Sequence, residues 1–534
     1  MDHGYLQYLY PKQTTKWIWL FGITSAVVLA VQYYELPVFS SISFLLSGAK
    51  ASFLQESYFS NNGTNNSLKS HNLNDTYLVV NGSKINSEAP SRDVDTKNVS
   101  SLINPSMVDK KKPNMETLPV MSISQMNEML QKSHSLPHLV PAQSRVDQQL
   151  LEAKSQIENA VVTNNETGLY APIYRNISKF IRVEHITSSI TEKEHFYRSY
   201  DLMEKMLKVY IYKDGEKPIF HDWILEGIYA SEGWFLKLME TNKQFVTEDP
   251  NEAHLFYIPF SSRLLQLTLY IPHSHSRDNL IQFMKNHTEM LITKYPFWNR
   301  TNGSDHFLSA CHDWAPAETR GRLLNTIRAL CNADIQRGFS IGKDVSLPTT
   351  YVRFANNPLQ NVGGEPPSNR TILAFFAGHM HGYVRPVLLN HWGNDTDMRI
   401  LSRMPHVKGN KNYINHMKTS KYCICARGFE VHTPRVVESL FYNCIPVIIA
   451  DNYVLPFFEV LNWESFAVFV LEKDIANLKN VLLSISQEKY LEMYEGVKKA
   501  REHFFWHSDP IKYDVFHMIL HSVWYNRVLR TNFI

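Results

Sequence analysis

Net charge is nearly absent from this chain, at +3 over 534 residues, so electrostatics give no reason to expect a nucleic-acid partner. Cysteine is scarce as well. Only Cys311, Cys331, Cys423, Cys425 and Cys444 occur, all in the last part of the chain. Cys423 and Cys425 stand too close for a C-x-x-C ligand pair and no second pair exists, which argues against a zinc site. In an oxidising compartment five cysteines predict two disulfides and one free thiol. Connectivity is not readable from the sequence; Cys311 and Cys331 form the local candidate pair. No two carboxylates stand in a setting that suggests glycoside hydrolysis. Hydrophobic residues are not lacking: 44% of the chain, with 12% aromatic, is enough for large cores and excludes general disorder.

The N-terminus carries Lys12 and Lys16 ahead of an apolar run from Trp17 to Val31 that continues weakly to Tyr34. About 20 residues cross a bilayer, so the run suffices if its aromatic ends lie at the interfaces. A cleaved signal peptide is the competitor. Trp17 and Trp19 are unusual in such a peptide, and no small-residue cleavage site follows closely. The expectation is a cytosolic tail (1–16), a signal anchor (17–35) and a lumenal remainder. Residues 36–193 hold Asn/Ser-rich stretches (Ser60–Ser70), a lysine run (Lys110–Lys112) and scattered prolines, which predicts a largely disordered stalk. Short helical turns are expected around Ile123–Leu130 and Val146–Ile157. Asn-x-Ser/Thr acceptors begin at Asn62, Asn65, Asn74, Asn81, Asn98, Asn165 and Asn176, then at Asn286, Asn299, Asn302, Asn369 and Asn394; none precedes the apolar run.

Beyond the stalk, strand and helix patterns alternate, which predicts α/β layers. Strands are expected at Lys208–Tyr212, Ala253–Pro259 and Asp305–Ala310, with helices at Trp223–Met239 and Leu280–Tyr295. A proline-rich break, Asn356–Arg370, separates this half (200–355) from a second (370–500), and a helical tail (501–534) follows. The second half opens with the strand Thr371–Ala377, the loop Gly378–Gly382 and the helix Val384–Trp392. Then comes Lys421–Asn452, a strand, a loop turning at Gly428, a helix and a second strand. Thr433 and Pro434 read as the N-cap and first position of that helix. Helices are also expected at Ile475–Ile485 and Glu488–Phe505.

Arg435 and Glu438 share one side of the Lys421–Asn452 helix near its positive end. A diphosphate would be held there by free N–H groups and a guanidinium, and a sugar's hydroxyls by the carboxylate. Alone, the pair also reads as an ordinary Arg–Glu pair on a surface helix. Arg385 has the same bland reading.

KYCICARGFEVHTPRVVESLFYNCIPVIIADNYVLPF resembles the signature of plant exostosin-like glycosyltransferases, family 47. The resemblance runs over about residues 200–500 and includes KVYIY, DPNEAHLFYIPF, DHFLSACHDWAP, LAFFAG and NWESFAVFV. It implies a GT-B fold, two Rossmann-like domains facing a cleft, with a nucleotide-sugar donor, usually a UDP-sugar, bound mainly by the C-terminal half. It further implies inverting transfer of a hexosyl or pentosyl group to a cell-wall polysaccharide or glycan, and a type II Golgi membrane protein. A glycosyltransferase complex is among the expected partners, and nucleic acid is not. Ala426-Arg427 replaces a Pro-Ser found in many relatives, which touches donor contacts in that loop.

Donor-binding residues are then expected at Gly378, Arg385, Arg427, Gly428, Arg435 and Glu438. Asp313 and His312, at the end of the third strand, are the candidates for the catalytic base; their bland reading is loop structure. Asp305 and His306 read as buried support. Asp395-Thr396-Asp397 has the D-x-D form of a metal motif but sits in a surface loop, and His379, His381 and His391 lack metal-ligand spacing. No cofactor or metal is expected. A non-catalytic glycan-binding or scaffolding subunit is the alternative reading.

Overall fold

The structure, a computed structural model, describes residues 119–135, 139–140, 144–159, 173–175, 199–404 and 411–533. The expected tail and anchor and most of the expected stalk lie outside the described residues. Among the described residues no helix is long and apolar enough to cross a membrane. Everything below belongs to the unit that runs from Ile103 to Ile534.

After a two-residue strand, β1 (Leu139–Val140), five short strands build the first sheet: β2 (Val209–Ile211), β3 (Leu255–Tyr257), β4 (His306–Ala310), β5 (Ile327–Leu330) and β6 (Val345–Ser346). They lie side by side in chain order, all parallel. β3, β4 and β5 are buried on both faces, which is why their sequences read as apolar runs rather than alternations. Asp305 and His306 are fully buried at the start of β4, where Arg300 and Thr301 bond the carboxylate.

A second parallel sheet follows: β7 (Ile372–Ala377), β8 (Met398–Leu401), β9 (Ser420–Ala426), β10 (Ile445–Ile449) and β11 (Val468–Phe469). Its spatial order is β11-β10-β9-β7-β8. Two parallel α/β sheets of this kind are consistent with a GT-B-like arrangement. The disulfide Cys311–Cys331 joins the ends of β4 and β5, and Cys423–Cys444 ties β9 to the residue before β10. Cys425 is the free, buried thiol.

Two stretches differ from expectation. Within the supposed stalk, Ile123–Ser135 and Arg145–Glu158 are helices, and the second packs on the core. Ser144 and Asp147 form a reciprocal capping box, and Val146, Leu150, Ala153 and Ile157 bury one face of it. Helical turns are expected at both places and are found there as full helices; what departs from a stalk is the packing of the second on the core. The C-terminal helix Val515–Leu529 is no tail either. Every residue of it is buried, and it packs on the Arg145–Glu158 helix and on β5 and β6 of the first sheet. A helix apolar on nearly all sides has no face to give to water. Beyond it, β12 (Asn532–Phe533) pairs in parallel with β1.

Candidate functional site

Strand order in the second sheet reverses between β7 and β9, because the chain leaves β7 toward β8 on one side and leaves β9 toward β10 on the other. The loops at their carboxyl ends part there and leave a crevice, the usual ligand position in such sheets. Those two loops are Gly378–Gly382 and Arg427–His432. They touch at Gly382, whose φ is +70° and where a Cβ would lie 2.1 Å from the Gly428 carbonyl oxygen. Only glycine satisfies both the left-handed backbone and that approach.

Two guanidiniums sit in the crevice. Arg435 donates to the Ala377 carbonyl at 2.6 Å and to Thr433 Oγ1 at 3.1 Å, and its charge lies 4.9 Å from the Phe376 ring centre. A Cβ at Gly378 would stand 2.0 Å from its Nη2, so glycine there makes room for the cation. Arg385 is buried beside Gly428; it donates to the carbonyls of His379 at 3.0 Å and Ala426 at 3.3 Å, and its charge is 5.8 Å from the same ring. Burial, then the like charge of Arg435, pulls its pKa down to about 9. Among the described residues neither arginine forms an ion pair, and Arg435 Nε is buried without a partner. A buried cation beside a half-buried one is costly unless an anion completes them.

The helix supplies less than the sequence suggested. It runs Arg435–Phe441 with Pro434 at the N-cap, one residue later than expected, and has no side-chain cap. Its first N–H, that of Arg435, already meets Thr433 Oγ1 at 3.4 Å. Anion affinity therefore comes from side chains rather than from a long helix dipole.

Glu438 lies 5% exposed with both oxygens engaged: Arg353 Nη2 donates to one at 2.6 Å and the Tyr413 hydroxyl to the other at 3.0 Å. A carboxylate keeps further lone pairs for a ligand hydroxyl. Tyr413 and Arg353 were missed in the sequence, since neither lies in the Lys421–Asn452 stretch. Arg427 departs from the group. It pairs with Glu472 at 3.4 Å and lies 5.8 Å from the Tyr383 ring centre, so its charge is already neutralised.

Across from these loops stands Asp313, just past β4. Its carboxylate accepts from His432 Nε2 at 3.0 Å, while His432 Nδ1 meets Thr349 Oγ1 at 2.9 Å. Asn332 bridges the Asp313 carbonyl (3.1 Å) to Glu430 (2.9 Å), which also pairs with Arg337 at 3.0 Å. Loops of both sheets thus meet at Asp313. Its side chain is 36% exposed, whereas that of His432 is 4% exposed, so the carboxylate is the group that faces outward. Burial raises its pKa, but the bond and charge of His432 and a bond from Tyr229 outweigh that and hold it below the usual range. Its charge also acts on His381 in the Gly378–Gly382 loop.

His312 separates from Asp313. It is buried between Tyr229 and Trp314, with ring centres 4.9 and 5.0 Å away, and its Nδ1 takes the Trp314 N–H at 3.3 Å. Burial pushes its pKa down to about 3, so it is neutral and its acceptor nitrogen is occupied. The D-x-D carboxylates are likewise committed, with Lys479 2.8 Å from Asp395 and 2.7 Å from Asp397.

A family model described as the exostosin GT47 domain matches residues 203–485. A probable glycosyltransferase of Arabidopsis thaliana is 47% identical over 339 residues, 62% of this chain and 64% of that protein, so the match spans just under two thirds of the relative. A second Arabidopsis protein of the same description is 39% identical, with 77% of this chain and 83% of its own length covered. An Arabidopsis protein named a probable beta-1,4-xylosyltransferase is 29% identical over 53% of this chain and 73% of its own.

Proposed function

Because this chain belongs to the exostosin glycosyltransferase family 47, we propose that the crevice holds a nucleotide-sugar donor and transfers its sugar to a glycan hydroxyl. The observation that carries the reading is the pair Arg385, buried, and Arg435, half-buried, which both lie over the Phe376 ring and form no ion pair among the described residues. A diphosphate supplies the missing anion. Its charge grows as the bond to the sugar breaks, so preorganised cations stabilise the transition state more than the ground state.

Glu438, with Arg353 and Tyr413, holds the nucleoside through its ribose hydroxyls. Asp313 receives the proton of the acceptor hydroxyl as that oxygen bonds to the anomeric carbon and the diphosphate departs, a single displacement that inverts the centre. His432 keeps the carboxylate oriented and ionised. The guanidiniums supply the charge a divalent ion would otherwise provide, so the reaction proceeds without metal. The donor is a UDP-sugar, hexosyl or pentosyl, and the acceptor a cell-wall polysaccharide. The relative named as a xylosyltransferase supports the pentosyl option. The apolar run Trp17–Val31 anchors the protein as a type II Golgi membrane protein with this unit in the lumen, where partner transferases join it.

A glycan-binding subunit without turnover is the second reading, favoured by the engagement of both Glu438 oxygens with Arg353 and Tyr413. The test is UDP release from an array of UDP-sugars and wall glycans. UDP binding with acceptor-dependent release that Asp313→Asn abolishes is expected. UDP binding without release from any acceptor supports the second reading, and no UDP binding refutes both.

A further inference from the structure

Beside Asp313 lies a patch that the donor site does not use. Trp314 and Tyr270 meet edge to face with ring centres 4.7 Å apart, and Tyr229 packs on His312. All three rings are half-exposed, and Ile271 next to Tyr270 is 62% exposed. Two arginines lie over these rings: Arg277, 5.4 Å from the Trp314 centre, and Arg263, 5.6 Å from the Tyr229 centre. Arg277 forms no ion pair among the described residues.

No neighbouring acid forms an ion pair with Arg277 among the described residues. Asp278 follows Arg277 in the chain but accepts from Ser276 Oγ at 2.9 Å. Glu318 beneath the patch is buried, and burial pushes its pKa up to about 8, so it carries little charge at neutral pH. Both arginines add to the positive field at His312, where the charge of Asp313 opposes them. The surface around the acceptor carboxylate is therefore aromatic and cationic at once. Sugar rings present apolar C–H faces to aromatic side chains. A guanidinium lying on a ring keeps its N–H edge open for a carboxylate.

We propose that this patch is the acceptor cradle and that the acceptor is an acidic glycan, one whose sugars carry uronate carboxylates. Trp314, Tyr270 and Tyr229 stack the sugars, and Arg277 reads the carboxylate next to the reacting unit, while Arg263, which donates to Gln266 at 2.7 Å, adds positive charge beside it. The proposal rests on the reading of Asp313 as the acceptor-side group. It differs from a neutral-glycan site by a requirement for charge.

Titration of the purified full-length chain, without donor, against decagalacturonate and its carboxyl-reduced neutral counterpart tests it. The acidic oligomer is expected to bind about tenfold or more tightly, the size of one charge-assisted contact. Arg277→Gln removes that preference, and Trp314→Ala weakens both oligomers, each with an unchanged melting temperature. Equal binding of the two oligomers, a preference that survives Arg277→Gln, or equal binding of polyglutamate of matched charge overturns the proposal. UDP binding is measured on the same samples. A chain that binds decagalacturonate through Arg277 but never binds UDP refutes the donor reading and leaves this one standing; the converse result does the opposite.

Discussion

Replacing Arg385 by methionine is expected to stabilise the ligand-free protein and to remove most of its response to UDP. The guanidinium is buried, and burial with the adjacent Arg435 charge lowers its pKa to about 9. A displacement of that size corresponds to a cost on the order of 5 kcal/mol for holding the charge in the folded state. Against it stand three contacts to the carbonyls of Ala426 and His379, worth about 1 kcal/mol net each. Methionine keeps the apolar packing on Phe376, so the balance is a gain on the order of 2 kcal/mol, about 4 °C in a thermal melt. The folded-state value lies below the unfolded one, so the cost is fully present below about pH 9 and is relieved as pH rises beyond it. The difference between variant and wild type therefore narrows in alkaline buffer.

Ligand reverses the order. UDP at a hundred times its wild-type Kd stabilises the wild type by about 2.7 kcal/mol. Loss of one charge-assisted contact weakens binding about 10- to 100-fold, which leaves the variant a response of about 0.4–1.4 kcal/mol at the same concentration. Thermal melts with and without UDP, at neutral pH and at pH 9.5, read both effects. A lower melting temperature in the ligand-free variant together with an undiminished UDP response would refute the reasoning: Arg385 would then be a strut between loops.

Asp313→Asn is expected to keep UDP affinity and lower kcat about 100-fold or more, in line with loss of a general base. Since His432 and its neighbours hold the Asp313 pKa low, the carboxylate stays ionised as pH falls, so kcat should show no acid limb from this group near pH 6; such a limb would assign the base elsewhere. Gly382→Ala puts a Cβ 2.1 Å from the Gly428 carbonyl at a φ of +70°, so the loops must part. Weaker UDP binding and a loss of about 1–2 kcal/mol in stability are expected, measured by titration and denaturant unfolding. A fragment starting at residue 190 should melt lower or aggregate compared with one starting at 119. It lacks the buried face of Val146, Leu150 and Ile157, each worth about 1.5–3 kcal/mol, and uncovers the helix Val515–Leu529. Equal melting temperatures for the two fragments would refute that packing.

Local patterns read well where one physical cause dominated. A run such as TILAFFA or LFYIP is apolar without alternation, and both sheets bury such runs on two faces. The helix Val384–Trp392 has the expected bounds. Its register with β7 places Arg385 against Phe376 through a short glycine-bounded loop, so that part of the site was legible. Arg427 was not. It lies in the right loop, but its charge turns to Glu472, 45 residues on, and no spacing rule reports such a partner. Glu438 was legible as a carboxylate on the helix, yet its setting depends on Arg353, 85 residues earlier, and on Tyr413.

The amino-acid sequence by itself determined the alternation of short apolar strands with helices, the family signature in Lys421–Asn452, and the presence of glycines where two loops meet. Each follows from local chemistry: backbone freedom, apolar periodicity and the residues a turn requires. Tertiary structure alone decided which charges stay uncompensated. Arg385 and Arg435 lack a carboxylate and Arg427 has one; Asp313 and His432, 119 residues apart, join the loops of two sheets. Electrostatic pairing acts through space over a few ångströms, so it depends on strand order and crossover, which no local pattern encodes. The difference between a paired arginine and an uncompensated one lies in that order.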